Sequence, residues 1–442
     1  MTTYDNNNQS DQSDQDQALC QSVAKGEQSP LALAGKLNAL DPGFRENPLP
    51  YLSAISEQGS GTLLQEGIML SLARASDIAE TLRDTKLWVD PHKSKPDSPS
   101  RILVANQSED RQLSILLLDN PDHKRLRSIL VRDFTPKALE KWRTVIKETA
   151  HDLLDSIQKS TSHNESWDLI QDYAGPLPTI VIGKMLGLEE RDFGWFKVAS
   201  DAVSMAFFNP ACTDEEREQG RYWDTKLNEH FTEMLAVKRR NPGDDLISSM
   251  VAAADQEQQI SDKEILTQCN LLLVAGNITT TDLIGNGLHC LLQDRKQWQL
   301  LCENPQLAAN TVEEMLRLTP PVMNTARIAD RPRQIAGCPM DTGETINLML
   351  AAGNLDPRTN PDPHTLNIER KNITHFSFGG GAHFCLGAHL ARMEAQEALL
   401  ALTNRYPQLQ LVPPIDTGAS KRSMPGFSGF LSIPVHNKPI PT

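Results

Sequence analysis

Phe378-Gly379-Gly380-Gly381-Ala382-His383-Phe384-Cys385-Leu386-Gly387 delivers one cysteine from a glycine-rich loop to the start of a helical run, Leu390-Ala391-Arg392 onward. A thiolate there gains from the positive end of the helix and from loop N–H groups. That environment suits a sulfur ligand to iron; the alternative is a buried structural thiol in a turn. A phosphate cradle needs Gly-Lys-Ser/Thr after the glycines, and none follows. A second stretch, Ala275-Gly276-Asn277-Ile278-Thr279-Thr280-Thr281, interrupts an apolar helical pattern. Small residues at 275 and 276 let a flat ring approach the backbone, and a hydroxyl one turn on can bond a ligand held there. Its plainer reading is a helix whose threonines bond back to their own carbonyls. Glu314 and Arg317, three apart, can pair along a helix, although an exposed pair of that kind contributes little. His123 and Arg127, four apart, share one helical face.

These residues need elements to position them. Ser261 and Glu264 form a capping box, and apolar residues then run to about Asp294. At ~1.5 Å per residue this helix is roughly 50 Å long and crosses the whole molecule. Another helix begins after Pro305 and stops at Pro320-Pro321. Residues 61–84 read as a short hairpin and a helix from Ala75 to Arg83. Residues 89–110 read as a long loop, and 121–142 as helix. Residues 143–240 hold further helices, broken at Asn209-Pro210. The segment 334–350 reads as short strands and 351–385 as a meander. A last helix runs from about Leu386 to Arg405, and 408–435 reads as strands and turns. No internal repeat is present. The fold class is mainly α with small β-sheets (α+β).

At 442 residues, 39% of them hydrophobic, the chain is long enough for a large core. No composition break divides it, so residues 31–442 read as one domain. Residues 1–30 read as a polar, disordered tail with none of the apolar character of a signal peptide. No 18-residue apolar run is present, so no membrane anchor is expected. A net charge of −14 argues against nucleic acid or an anionic membrane as partner. Seven scattered cysteines without a Cys-x-x-Cys exclude a zinc site or covalent haem attachment and suit a reducing, cytoplasmic setting.

In order and spacing these motifs resemble the cytochrome P450 family over roughly residues 40–435. The resemblance implies a triangular, mainly α prism and a non-covalent haem b with Cys385 as its axial thiolate. Such a ligand pushes electron density onto iron and favours O–O cleavage. The implied reaction inserts one oxygen atom from O2 into a small hydrophobic substrate. Its electrons come from NAD(P)H through a ferredoxin reductase and a ferredoxin, and the enzyme is a monomer. Thr279 corresponds to the threonine that steers the protons consumed in oxygen activation, with Thr280 and Asn277 beside it. Ala275, Gly276, Phe378 and Gly387 match positions that pack on the haem. His123, Arg127, Arg327 and His383 match those that bind its propionates. Glu314 and Arg317 match a buried structural pair. A third partner is expected near 362–366, where Thr365 stands in place of the usual arginine and His364 is the substitute. Substrate recognition falls to the loop near 89–106, the helices around 165–210, and Phe207, Phe208, Leu272, Val322, Met323 and Phe430. Lys124, Arg125, Arg132, Lys137, Lys141 and Arg143 form either a solvated helix face or a docking site for an acidic electron donor.

One position departs from the family pattern. An aspartate or glutamate is usual where this chain has Ile278, which can neither accept nor donate a proton. Water or Asn277 replaces the relay, or the substrate supplies the group, or oxygen reduction is loosely coupled. The departure also admits a peroxide-driven haem enzyme, although the Arg-Pro usual near the threonine pair in such relatives is missing. A non-catalytic haem sensor or carrier is the other class, and the retained Thr279 and intact cysteine loop argue against it.

Overall fold

A computed structural model describes residues 15–437, apart from 16, 24, 30–31, 34–35, 59–61, 65–68, 106–111, 161–165, 258 and 414–419. The helices that position the site are α1 (Ala75–Arg83), α2 (Asp122–Leu130), α3 (Pro136–Ser160), α4 (Pro176–Leu186), α5 (Phe193–Phe208), α6 (Asp214–Arg240), α7 (Asp262–Gln293), α8 (Ala308–Leu318) and α9 (Ala388–Arg405). The capping box forms as read: Ser261 Oγ accepts from the Glu264 N–H and the Glu264 carboxylate accepts from the Ser261 N–H at 2.8 Å. Helix α7 packs against α4, α5, α6, α8 and α9. Neighbours on all sides explain why it is apolar all round rather than along one stripe.

One sheet flanks this helical body. It comprises β1 (Thr62–Leu64), β2 (Met69–Leu72), β3 (Thr325–Ile328) and β4 (Thr345–Leu348) in the order β1-β2-β4-β3. Leu70, Leu72, Ile346 and Leu348 bury a face of it against Ile78 and Leu82 of α1. That contact matters because α1 also backs the cysteine loop. Smaller pairings join 333–335 to 338–340, and 434–436 to both 167–168 and 410–411. No helix among the described residues is long and apolar enough to cross a membrane.

Several boundaries differ from the sequence reading. Residues 89–110 contain a short turn of helix at Pro91–Lys93, capped by Asp90, and a helix at Pro99–Ala105. Ser98 and Ser100 hydroxyls tie that helix to the Thr345 hydroxyl, a tertiary contact that local periodicity does not reveal. The stretch 121–142 is two helices: α2 ends at Leu130, and Thr135 caps the start of α3, where Pro136 takes the first position. The packed body also begins before residue 30, since Cys20 and Val23 are buried in the main core. Residues 1–14 lie outside the described residues.

Candidate active site

The cysteine loop is shaped by its glycines. Gly379 and Gly381 have φ of +66° and +65°, a region other residues seldom adopt. A Cβ on Gly381 would sit 2.0 Å from the Leu82 carbonyl oxygen, so the loop can press onto the end of α1 only without a side chain there. The Cys385 N–H donates to the Phe378 carbonyl at 2.9 Å and closes the loop, and α9 begins three residues later at Ala388. Cys385 is accessible. Burial of its surroundings raises the thiol above its ordinary range, while the Gly387 N–H and the charges of Arg127 and Arg392 pull it down.

The loop is braced by a residue that the sequence reading missed. The Arg392 guanidinium lies over the Phe378 ring at 4.5 Å and donates to Glu313 at 2.6 and 2.9 Å. Glu313 also pairs with His375 Nε2 at 3.0 Å. Burial opposes ionisation of Glu313, but the hydrogen bonds from His375 and Arg392 outweigh it and hold its pKa near 2. Next to it in the chain, Glu314 takes two hydrogen bonds from Arg317, at 2.7 and 2.8 Å, with both side chains fully buried. The third partner is Arg370, whose Nε lies 3.0 and 3.1 Å from the two Glu314 oxygens. His364 is not in this network; it lies beside the Ser53 hydroxyl at 3.2 Å. The 362–366 stretch takes part through backbone alone, its Thr365 carbonyl accepting from Arg317 and Arg370.

Four basic side chains converge beside the loop. His123 is 3% exposed and its Nε2 has no hydrogen-bond partner. Its ring lies on that of His383, with centroids 4.0 Å apart. Arg127 donates to the Phe384 carbonyl at 2.6 Å. Arg327 is 5% exposed and donates to the Ala326 carbonyl. Burial, then the charges of His123, Arg327 and Arg127, pushes the His383 pKa down to about 3. Burial pushes Arg327 down to about 10, with Asp119 opposing. Asp119 itself is committed to Lys93, at 2.8 Å, and to the Val89 N–H. Two buried and two half-buried basic side chains, with burial and then the neighbouring cations lowering both His123 and His383, make a place for negative charge that the two propionates of a haem would fit. Thus the structure brings together the four residues that the sequence singled out for this role.

Within α7 the small residues behave differently from their neighbours. Ala275 is exposed, and Gly276 and Thr279 are partly so, amid the buried stretches 272–274, 277–278 and 280–289. Thr279 Oγ1 donates to the Ala275 carbonyl at 2.8 Å. Thr280 and Asn277 do not join Thr279. Asn277 is fully buried against α4, its Oδ1 accepting from Thr179 at 2.9 Å, so it cannot stand in for the missing acid at Thr279. Thr280 points to α9, where its hydroxyl hydrogen-bonds Glu394. Burial raises the Glu394 carboxyl well above its ordinary range, opposed by that hydrogen bond. Glu394 follows Cys385 by nine residues and links the two motifs; a carboxyl on the buried face of a helix otherwise rich in alanine and leucine was the available signal. Ile278 is 3% exposed and packs with Met424 and Phe427, beside Phe208 and Val322. An apolar cluster occupies the place where a carboxylate would stand.

The substrate residues divide. A cavity of about 490 Å³ is lined by Phe207 and Phe208 with Leu271 and Val274, and by Asn228 and Asn270. Leu272 instead faces the core at 8% exposure, because one residue along a helix turns the side chain by about 100°. Val322 pairs with Phe427 beside Ile278. Met323 and Phe430 line a different cavity. In the basic stretch, Arg125 is committed to Glu264 at 2.6 Å, Asp122 at 2.8 Å and the Gln259 carbonyl at 2.6 Å. Lys141 pairs with Asp244 and Arg143 with Glu397, both at 2.7 Å.

An accessible cysteine on a braced loop, a cluster of basic side chains beside it and small residues open on the central helix are the features of a haem-thiolate protein. The chain belongs to the cytochrome P450 family: the family model described as Cytochrome P450 matches residues 86–304 and 299–419. It is 34% identical to the cytochrome P450 CYP107DY1 of Priestia megaterium, over 76% of this chain and 82% of that protein. It is 34% identical to the polyketide biosynthesis cytochrome P450 PksS of Bacillus subtilis, over 82% and 88%. Among solved structures, the myxobacterial cytochrome P450 CYP267B1 in complex with myristic acid superposes with a TM-score of 0.82 at 32% identity, covering 91% of this chain and 99% of that one. P450BioI, in complex with an acyl carrier protein bearing hexadec-9Z-enoic acid, gives 0.78 at 30% identity, covering 89% and 100%. The protein is therefore a cytochrome P450 monooxygenase that uses haem.

Proposed function

We propose that the enzyme inserts one oxygen atom from O2 into a small hydrophobic organic molecule, with electrons drawn from NAD(P)H through a ferredoxin reductase and a ferredoxin. The observation that carries this reading is the opening at Ala275 and Thr279 amid the buried stretches of α7. A cavity with Phe207, Phe208, Leu271 and Val274 on its apolar side and Asn228, Lys263 and Asn270 among its polar walls supports it from the same helix and α5. The haem supplies the redox and oxygen-activating chemistry when bound. Cys385 would hold its iron, and His123, Arg127, Arg327 and His383 its propionates. Ala275, Gly276, Phe378 and Gly387 would pack on its faces. Thr279 Oγ1 holds and passes a proton on the reacting side, in exchange for its bond to the Ala275 carbonyl. Glu394, whose burial favours its protonated form, lies behind Thr280. Phe207, Phe208 and the Ile278 cluster exclude water, so proton supply rests on hydroxyls rather than a carboxylate at 278. Lys124 and Lys137, both exposed, are the cations of the basic stretch that would meet an acidic electron donor.

Two structural neighbours hold long-chain acyl groups, myristic acid in one and a hexadecenoyl chain in the other. Free fatty acids therefore head the panel for a spectral titration of the haem-loaded protein, followed by steroids, terpenoids and aromatics. One class should give a saturable shift of the main absorption band and, with a surrogate ferredoxin chain under labelled O2, a product carrying one labelled oxygen. Gas binding without product from any class would make the protein a sensor instead.

A further inference from the structure

A second cavity, of about 760 Å³, lies on the other side of the chain segments that border Ile278. Its walls come from the C-terminal half of α7, the segment 41–52, Leu318–Pro320 and the turn 421–430. Two backbone hydrogen bonds of 2.9 Å, Met323 N–H to the Gly426 carbonyl and Ser428 N–H to the Pro321 carbonyl, join the last two into a thin partition. Side chains alternate across extended chain. Val322 and Phe427 therefore turn toward Ile278, whereas Met323, Ser428 and Phe430 turn toward this cavity.

Polar groups line much of it, the Asp41 and Glu46 carboxylates among them, and some are incompletely used. His289 is 8% exposed, stacks on Phe430 with centroids 4.5 Å apart, and its Nε2 has no partner. Asn286, 4% exposed, donates to the Thr319 and Ser428 carbonyls while its Oδ1 accepts nothing. The described partners of the Lys421 ammonium are the Glu46 carbonyl, at 3.2 Å, and the Phe430 ring, at 5.1 Å. Neither is a counter-ion; the Glu46 carboxylate acts on the ammonium through space, while its backbone carbonyl takes the hydrogen bond. Burial pushes the Lys421 pKa down to about 8 and that of His289 to about 4, the effect expected of a sequestered cation beside a neutral imidazole. Leu318, Pro320, Met323 and Phe430 supply an apolar part of the wall, beside Asp41, Glu46 and Gln293. Unsatisfied buried polar groups beside an apolar wall in a chamber of this size are the makings of a small-molecule site.

We propose that this cavity is an effector site for a small amphipathic carboxylate, distinct from the substrate cavity. The carboxylate pairs with Lys421, protonated below about pH 8, and takes or gives a hydrogen bond at His289. The alkyl part lies along Pro320, Met323 and Phe430. Its reach to the reaction site is the partition: a ligand pressing on Met323 and Phe430 bears on Val322 and Phe427 at its other face. That consequence rests on the monooxygenase reading, whereas binding itself does not.

The test is calorimetric titration of the haem-loaded protein with decanoate while saturating econazole occupies the haem's distal side. Decanoate should still bind at one site. Decanol, of equal length and uncharged, should bind at least about tenfold more weakly, as should decanoate to Lys421→Met. Decanoate should also shift econazole affinity by about threefold or more in the wild type, and by reciprocity econazole should shift decanoate affinity equally. Competition for the substrate cavity would survive in Lys421→Met, so loss of the shift in that variant marks the second site. Three results overturn the proposal: no decanoate binding beside econazole, equal binding of decanol, or an econazole shift that persists in Lys421→Met. The decanol comparison needs no variant, and none of these readouts requires turnover.

Discussion

The cysteine side and the oxygen side of this enzyme are built on opposite principles. Between Cys385 and helix α8 the charged groups are paired with one another. Glu313 bridges Arg392 and His375, Glu314 bridges Arg317 and Arg370, and the Phe378 ring is capped by Arg392. Around Thr279 the polar groups turn away from one another. Asn277 faces α4, Thr280 faces α9, and Ile278 sits in an apolar cluster. The difference follows from what each side must do. Holding a thiolate against iron requires one geometry, and buried charge pairs enforce it because breaking them is costly. Accepting a substrate requires a surface fitted to that molecule, and apolar side chains can be exchanged at little cost in stability.

The contrast can be broken most forcefully on the cysteine side. Glu314→Gln leaves the fully buried Arg317 without its counter-ion and should cost about 3–5 kcal/mol. Arg370→Met leaves Glu314 still paired with Arg317 and should cost less, each effect being read as a lower urea midpoint with loss of haem. His364→Ala should leave both unchanged, since His364 lies outside the network. On the oxygen side, Thr279→Ala should keep the fold and lower product per NAD(P)H about tenfold as peroxide rises. An unchanged yield would remove Thr279 from proton delivery. Glu394 carries a pH signature. Its native pKa lies well above the unfolded value, so from about pH 4.5 upward the native state holds a proton that the unfolded chain has lost. Stability should fall with rising pH over that window, by up to about 1.4 kcal/mol per unit, and Glu394→Gln should flatten the slope. The smallest effect is at the surface. Lys124→Glu should slow reduction by ferredoxin about threefold at low salt, with the difference fading as salt rises. Arg125→Glu is not an equivalent probe, because it also breaks the tie between α2 and Glu264.

The same contrast governs what could be read in the sequence. The cysteine loop, the capping box and the pair Glu314–Arg317 were legible because their partners lie within a turn of one another. Arg370 was not, since only the path of the meander brings it back to α8. Glu313 was hidden by its neighbour Glu314, whose partner lies three residues along. Asn277 looked like a relay because it adjoins Thr279 in sequence, yet consecutive residues on a helix point about 100° apart. The same rotation moved the cavity lining from Leu272 to Leu271 and Val274. Met323 and Phe430 were assigned to the substrate side because nothing local says which face of an irregular segment looks inward. The polar composition of the first 30 residues concealed Cys20 and Val23, two apolar anchors among many polar neighbours.

The central claim is that Cys385, alone among the seven cysteines, supplies the axial thiolate. The carbon monoxide difference spectrum of the reduced, haem-loaded protein tests it directly. Wild type should show the band of a thiolate-ligated haem, Cys290→Ser and Cys302→Ser should retain it, and Cys385→Ser should lose it together with all turnover. Retention of that band in Cys385→Ser would contradict the account.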